Sequence, residues 1–263
     1  MTKEQLIEGI AKGNTLMLSK AITLAESTLP EKRELALQII EHFGPQKNTF
    51  RIGITGTPGA GKSTFIEAIG THLLAHSDQK VAVLSIDPSS QQTQGSILGD
   101  KTRMSKLSGH ERAYVRPTSS GNQLGGLAKN TRLAMLLREA AGYSTIFIES
   151  VGVGQGETEI AQLTDLFVLL LNPGGGDELQ GIKRGIMEMA DLIVINKADG
   201  NQLKAAKQAK QEYLNALHLF PPHEYGWTPT ASLCSSIEGT GLEDVWQTIE
   251  DYFKLLTENE LFD

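Results

Sequence analysis

The stretch Gly56-Thr-Pro-Gly-Ala-Gly-Lys-Ser-Thr64 decides how this chain folds. It matches the pattern G-x-x-x-x-G-K-[ST], and its flanks are the ones that pattern requires. A strand-like run, Thr49-Phe-Arg-Ile-Gly-Ile-Thr55, precedes it, and a helical run, Phe65-Ile-Glu-Ala-Ile69, follows. Glycines let successive backbone N–H groups turn inward around an anion, and the following helix aims its positive dipole end at the same point. Lys62 is expected to reach the β- and γ-phosphates of a nucleoside triphosphate, and the Ser63 hydroxyl to ligate Mg2+. Gly56, Thr57, Pro58, Gly59, Ala60, Gly61 and Thr64 complete the cradle. A chance match in a glycine-rich turn is the competing explanation. The intact strand, loop and helix argue against it.

Outward from that loop, strands alternate with helices. Short apolar runs occur at 50–55, 81–86, 144–149, 166–171, 192–196 and about 229–233, with helical stretches at 62–76, 127–142, 181–190 and 201–217. This order predicts an α/β fold of the P-loop NTPase kind, with a mainly parallel central sheet flanked by helices. Ligands of such sheets sit at the carboxyl ends of the strands. Upstream, residues 1–46 read as an N-terminal helical segment. Leu6, Ile7 and Ile10 form an apolar face, Gly13-Asn14 interrupts it, and Leu18, Ala21, Ile22 and Ala25 resume the spacing. Pro30 stands where a first helical position would, and Gly44-Pro45 closes that helix. At the other end, Leu242, Val245, Trp246, Ile249, Tyr252, Phe253 and Leu256 recur at helical spacing, a core-facing stripe rather than a cofactor box.

The 263 residues suit one large α/β domain with a small appendage, 40% of them hydrophobic and 21% charged. A net charge of −7 argues against a nucleic-acid surface built on bulk electrostatics. The single cysteine, Cys234, excludes an intrachain disulfide and fits a reducing compartment. Met1-Thr-Lys-Glu-Gln5 has no apolar signal core, and no apolar run approaches the ~20 residues needed to span a bilayer. A cytoplasmic protein is the expectation.

Asn196-Lys-Ala-Asp199 follows the strand-like Leu192-Ile-Val-Ile195 and matches N-K-x-D. The Asp199 carboxylate can accept from guanine N1–H and N2–H2 together, a charge-assisted pair that adenine would leave unmade. Asn196 is expected to support the loop and Lys197 to lie along the base, which favours GTP over ATP. Ser235, Ser236 and Ile237, after the last strand, are candidate guanine contacts, with Cys234 beside them as packing. On this basis residues 47–263 read as a G domain ending in a C-terminal helix.

Asp87 ends one buried strand and Glu149 another; carboxylates at strand tips near a P-loop serine suit Mg2+. Asp100 is a third metal candidate, with a helix-cap or turn role as its rival. Gly152-Val-Gly-Gln-Gly-Glu157 is placed like a switch, where Gly152 can sense a γ-phosphate through its N–H. Gln155 and Glu157 are candidates for orienting the attacking water. Pro173-Gly-Gly-Gly-Asp177 to Arg184 reads as a mobile loop with charge to exchange.

Several of these segments together resemble a known family. Asp87-Pro-Ser-Ser90, Gly95-Ser-Ile-Leu-Gly-Asp-Lys-Thr-Arg103, Glu149-Ser-Val-Gly-Val-Gly-Gln155 and Gly176-Asp-Glu-Leu-Gln-Gly-Ile-Lys183 are similar to the methylmalonyl-CoA mutase-associated GTPases of the MeaB/ArgK type, within the SIMIBI class. The likeness runs from about residue 10 to about 255. It implies slow hydrolysis of GTP with Mg2+ and binding to an adenosylcobalamin-dependent acyl-CoA mutase, with methylmalonyl-CoA mutase the expected partner. Such proteins gate cofactor loading and protect the mutase. The resemblance makes 87–103 and 149–157 switch segments and 174–184 a third switch facing the mutase, where Lys183 or Arg184 could be ordered by the partner. It also implies homodimerisation through a further C-terminal arm, which this sequence, ending at Asp263, does not show. Cys234-Ser-Ser236 stands where Cys-Ser-Ala is usual.

Two rivals are a nickel or cobalt metallochaperone GTPase and an ATP-dependent kinase of an amino-acid transport system. The first needs a His/Cys cluster. His72 and His76 can share a helix face, but no third ligand accompanies them in the sequence.

Overall fold

The computed structural model describes residues 1–46, 48–87, 104–116, 118–119, 126–150, 157–173, 184–223 and 225–262. The chain packs as two compact units, Met1–Thr49 with Asp78–Phe147, and Phe50–Ser77 with Ile148–Asp263.

The first unit opens with helices whose ends are written in the sequence. Helix α1 (Lys3–Ala11) starts on a capping box in which Thr2 and Gln5 satisfy each other's backbone N–H. Helix α2 (Thr15–Ala25) starts on Asn14, whose side chain accepts from Leu16 N and Met17 N. Helix α3 (Pro30–Phe43) begins on the expected proline and ends at Gly44, φ +66°. Leu6, Ile10, Leu18, Ile22 and Ile39 face inward and are fully buried. Strand β2 (Val81–Asp87) follows, then a one-turn helix α5 (Ser105–Ser108), β3 (Ala113–Val115), β4 (Thr118–Ser119) and helix α6 (Gly126–Ala140), against which α2 and α3 pack.

Strands β3 and β4 were not foreseen. Each is too short to display a period-2 pattern, and both lie along β2, beside Val81–Val83 and Ile86–Asp87 respectively. Side chains pin the N-terminal helices to this edge. Ser19 Oγ and Tyr114 Oη lie 2.7 Å apart. Arg116 donates to Ser19 O at 2.6 Å and to the Glu26 carboxylate at 2.8 Å. Arg138 is completely buried, 5.2 Å from the Tyr114 ring centre, and donates to Ala134 O. Burial pulls its pKa down to about 10, with Tyr114 opposing, so it remains a cation at neutral pH.

The second unit begins with β1 (Phe50–Gly56), which runs directly into the glycine loop and helix α4 (Lys62–His76). Strand β5 (Thr145–Ser150) has residues in both units. Next come helix α7 (Glu157–Ala161), β6 (Leu166–Leu171), helix α8 (Arg184–Met189), β7 (Leu192–Ile195), helix α9 (Leu203–Leu217), β8 (Thr230–Leu233) and helix α10 (Leu242–Glu258). Among the described residues the strands form one sheet in the order β3-β2-β5-β1-β6-β7-β8, with β4 also on β2. The pairs β1–β6, β6–β7 and β7–β8 are parallel, in register Ile52↔Leu166, Val168↔Leu192 and Leu192↔Thr230. Strands covered by helices need apolar residues on both sides, which is why Leu166–Leu171 is an unbroken apolar run. Helix α7 packs on β1 closely enough that a Cβ at Gly53 would lie 2.8 Å from Ile160 Cγ2. Every member of the C-terminal stripe is buried, and Phe253 stacks on Phe50 with ring centres 3.8 Å apart. Burying each such ring contributes about 1.5–3 kcal/mol.

Candidate functional site

The glycine loop crosses from β1 to α4 within six residues, and two of its glycines occupy the left-handed region: Gly59 at φ +80° and Gly61 at φ +86°. A Cβ at Gly59 would meet nothing within 4 Å, so its backbone angle requires glycine there, not crowding. At Gly61 the same atom would come within 3.0 Å of Asn196 Nδ2, and at Gly56 it would run into the Leu170 carbonyl.

Lys62, the first residue of α4, is largely buried and curls back to donate to Gly56 O at 2.9 Å and Thr57 O at 3.5 Å. Burial lowers its pKa, and the charge of Glu149 pushes it back up. Ser63 donates to Glu149 Oε1 at 2.8 Å. This pair joins the first turn of α4 to β5, and Ser150 Oγ, donating to Thr55 Oγ1 at 3.0 Å, ties β5 to β1. A hydroxyl and a carboxylate in hydrogen-bond contact are the hard oxygen donors Mg2+ selects, so the residues present fit that ion. Two buried polar atoms, Thr57 Oγ1 and Asn172 Oδ1, have no partner among the described residues, a cost that a polar ligand would relieve. Asn172 escaped the sequence reading; its one signal is its place directly after an apolar strand.

The other half of the candidate site is organised by Asn196, just after β7 and 2% exposed. Its Nδ2 donates to Ala60 O at 2.9 Å, inside the glycine loop. Its Oδ1 accepts from Ser236 N at 3.1 Å, Ser236 Oγ at 2.8 Å and Cys234 Sγ at 3.5 Å. One side chain therefore holds both the phosphate cradle and the loop after β8. Lys197 adopts φ +56° and donates to Gly59 O at 2.6 Å, a second strap across the cradle. Asp199 Oδ2 accepts from Ser235 Oγ, which orients the carboxylate. Ser235 N bonds Thr240 O at 2.9 Å, so that loop is braced from both sides. Ile237 next to it is largely exposed. Cys234 is buried, and burial pushes its thiol up to about 12.

Asp87 is the last residue of β2. Glu157 opens α7 and is buried. Asp100, Gly152, Gln155 and the loop from 174 through Lys183 lie outside the described residues, while Arg184 opens α8. Among the described residues no group of three or more His, Cys, Asp or Glu side chains is placed to hold a metal ion.

A glycine cradle after β1, braced by an Asn-Lys-x-Asp loop after β7 in a parallel sheet, defines a P-loop GTPase. Residues 18–263 match the family model described as "Methylmalonyl Co-A mutase-associated GTPase MeaB", and the chain belongs to that family. It is a GTP-hydrolysing enzyme of the guanine-nucleotide-binding kind. A probable GTPase of Mycobacterium tuberculosis is 47% identical over 263 residues, spanning 100% of this chain and 78% of that protein. GTPase ArgK of Escherichia coli is 47% identical over 257 residues, 97% of this chain and 77% of that one. The mouse protein called methylmalonic aciduria type A homolog, mitochondrial, is 44% identical over 270 residues, 98% of this chain and 65% of that one. Among solved structures, one titled LAO/AO transport system kinase superposes with TM-score 0.82 at 39% identity, covering 99% of this chain and 78% of its own. HypB from Helicobacter pylori, solved with nickel, has TM-score 0.56 at 18% identity over 82% of this chain and 94% of its own, a likeness of fold alone.

Proposed function

We propose that the pocket between the glycine loop and the Asn196–Asp199 loop takes GTP with Mg2+, and that turnover of GTP to GDP and phosphate serves an adenosylcobalamin-dependent acyl-CoA mutase as a chaperone of cofactor loading and protection. Methylmalonyl-CoA mutase is the partner the family description favours, and the cytoplasm is where we place the encounter. The functional division we propose is a helical segment over 1–46 and a G domain over 47–263; it follows the nucleotide motifs rather than the packing units. The observation that carries the nucleotide reading is Asn196, bonded at once to Ala60 O and to Ser236.

In this reading the amides of Gly59, Ala60, Gly61, Lys62, Ser63 and Thr64 cradle the phosphates, with Gly56, Thr57 and Pro58 shaping the turn. Lys62 leaves the carbonyls it now bonds and places its ammonium on the β/γ-oxygens, where charge accumulates during in-line attack of water. Ser63 and Glu149, joined by Asp87 and Asp100, are the residues that would hold Mg2+, which when bound supplies further positive charge to the phosphoryl oxygens. Gln155 orients the water, and Gly152 N–H senses the γ-phosphate. Asp199 accepts from guanine N1–H and N2–H2, already oriented by Ser235. Lys197 flanks the base, and Ser235, Ser236 and Ile237 close over its edge.

Titrating purified mutase into the protein at saturating GTP tests the partner. The hydrolysis rate is expected to rise and plateau at one mutase-bound complex. A flat rate, together with no co-elution in the presence of a non-hydrolysable GTP analogue, removes the mutase from the proposal and leaves the GTPase standing.

A further inference from the structure

The last turn of α4, at the opposite end of that helix from Lys62, brings two imidazoles together. The His72 and His76 ring centres are 4.3 Å apart with planes inclined by 35°. His76 Nδ1 lies 2.8 Å from the His72 carbonyl oxygen. A carbonyl only accepts, so Nδ1 carries the hydrogen, and the neutral ring then has its lone pair on Nε2. Metal-binding histidines are held in this way, one ring nitrogen donating to a carbonyl while the other ligates.

The surroundings suit a bound cation. Burial and then the neighbouring His76 lower the pKa of His72, with Glu243 opposing, so the neutral, ligating form is promoted. Glu243 stands in the first turn of α10, which packs against α4 in the same unit. The carbonyl end of a helix is the negative end of its dipole, and both rings sit there. The turn is also held rigid, because Ser77 caps Leu73 O through its N–H at 2.9 Å and its hydroxyl at 2.8 Å. His72 is half-buried and His76 exposed, so an ion has a way in.

We infer that His72 and His76 form a binding site for one divalent transition-metal cation of the Cu2+, Ni2+ or Zn2+ type, with Glu243 as adjacent negative charge. The site is separate from the nucleotide pocket in place and in chemistry: two imidazole nitrogens select a borderline cation, whereas Ser63 and Glu149 offer the oxygens that suit Mg2+. With two protein ligands the remaining positions belong to water, which makes this an exchangeable site rather than a structural one. Among these ions Cu2+ should bind most tightly.

The test uses the full chain without a histidine tag, its pocket filled with GDP and excess Mg2+, and Cu2+ as the probe. Paramagnetic resonance should show one bound Cu2+ per chain with hyperfine splitting from two nitrogens. His72→Asn and His76→Asn should each weaken Cu2+ binding by about tenfold or more and remove one nitrogen from the spectrum. His218→Asn, an exposed histidine at the end of α9, should change neither. Circular dichroism and unchanged GTP turnover in both variants establish that they fold. A wild-type chain that takes up no Cu2+ overturns the inference. So do folded variants that retain the wild-type affinity and nitrogen count.

Discussion

Asp199 and Asn196 stand three residues apart and do different work. Asp199, proposed to read the base, has its carboxylate held by Ser235; Asn196 is a brace between two loops. Asp199→Ala should therefore lower GTP affinity by about 3 kcal/mol, on the order of 100-fold, and erase the preference over ATP, while leaving folding stability nearly unchanged. Calorimetry with both nucleotides checks this; a retained preference would falsify the assignment of the base-reading group. Asn196→Ala removes bonds to Ala60 O and to Ser236 together and leaves buried polar atoms behind. It should cost about 1–3 kcal/mol of stability as well as nucleotide affinity, seen in urea unfolding without ligand. Cys234, buried with its thiol raised to about 12, should resist thiol reagents at mildly alkaline pH until the chain unfolds. Prompt native labelling would contradict that burial.

At the scale of elements, two packing devices carry testable consequences. Helix α10 meets β1 through the stack of Phe253 on Phe50, and Phe262 closes on the same pair. Phe253→Ala should destabilise by about 3–5 kcal/mol, read as a lower urea midpoint with an unchanged slope. The start of β7 is held differently. Asp191 accepts from Phe167 N at 2.7 Å through its carboxylate and from Trp227 Nε1 at 3.0 Å through its carbonyl, and His223 Nε2 lies 3.2 Å from Asp191 Oδ1. That contact with the Asp191 carboxylate raises the His223 pKa above its ordinary 6.5, against the opposing effect of burial. A raised folded-state value means the stabilisation is complete below the unfolded pKa and is lost as pH climbs through the folded one. Unfolding free energy should consequently fall as pH rises above the ordinary imidazole value of about 6.5 and through the raised folded-state one, and His223→Gln should flatten that slope. An identical slope in the variant would assign the pH dependence to other groups.

For the whole molecule, ligand binding and stability are one equilibrium. GTP or GDP at about 100 times its dissociation constant should add about 2.7 kcal/mol to unfolding, raising Tm by roughly 5–10 °C for units of this size. ATP at the same concentration should not. The two packing units divide the chain differently from its chemistry, since Asp78–Phe147 groups with the N-terminal helices while the glycine loop and the Asn-Lys-x-Asp loop share the second unit. The glycine loop and the Asn-Lys-x-Asp loop, far apart in sequence, thus meet within one packing unit.

What could be read from the chain alone was local. The phosphate cradle is built from consecutive backbone N–H groups, so one stretch, Gly56–Thr64, contains it entire. Helix ends at Asn14, Pro30 and Gly44 are set by capping chemistry within a turn, and the C-terminal stripe by a helical period. What the tertiary structure decided was adjacency. Period and composition mark a strand but not its neighbours, so the strand order that puts β1 between β5 and β6 was not legible, although Glu149 was expected at a strand tip near Ser63. Nor was the reach of Asn196 to Ala60. These depend on contacts between segments separated by tens of residues, whose geometry follows from how apolar faces bury one another and from no single stretch of sequence.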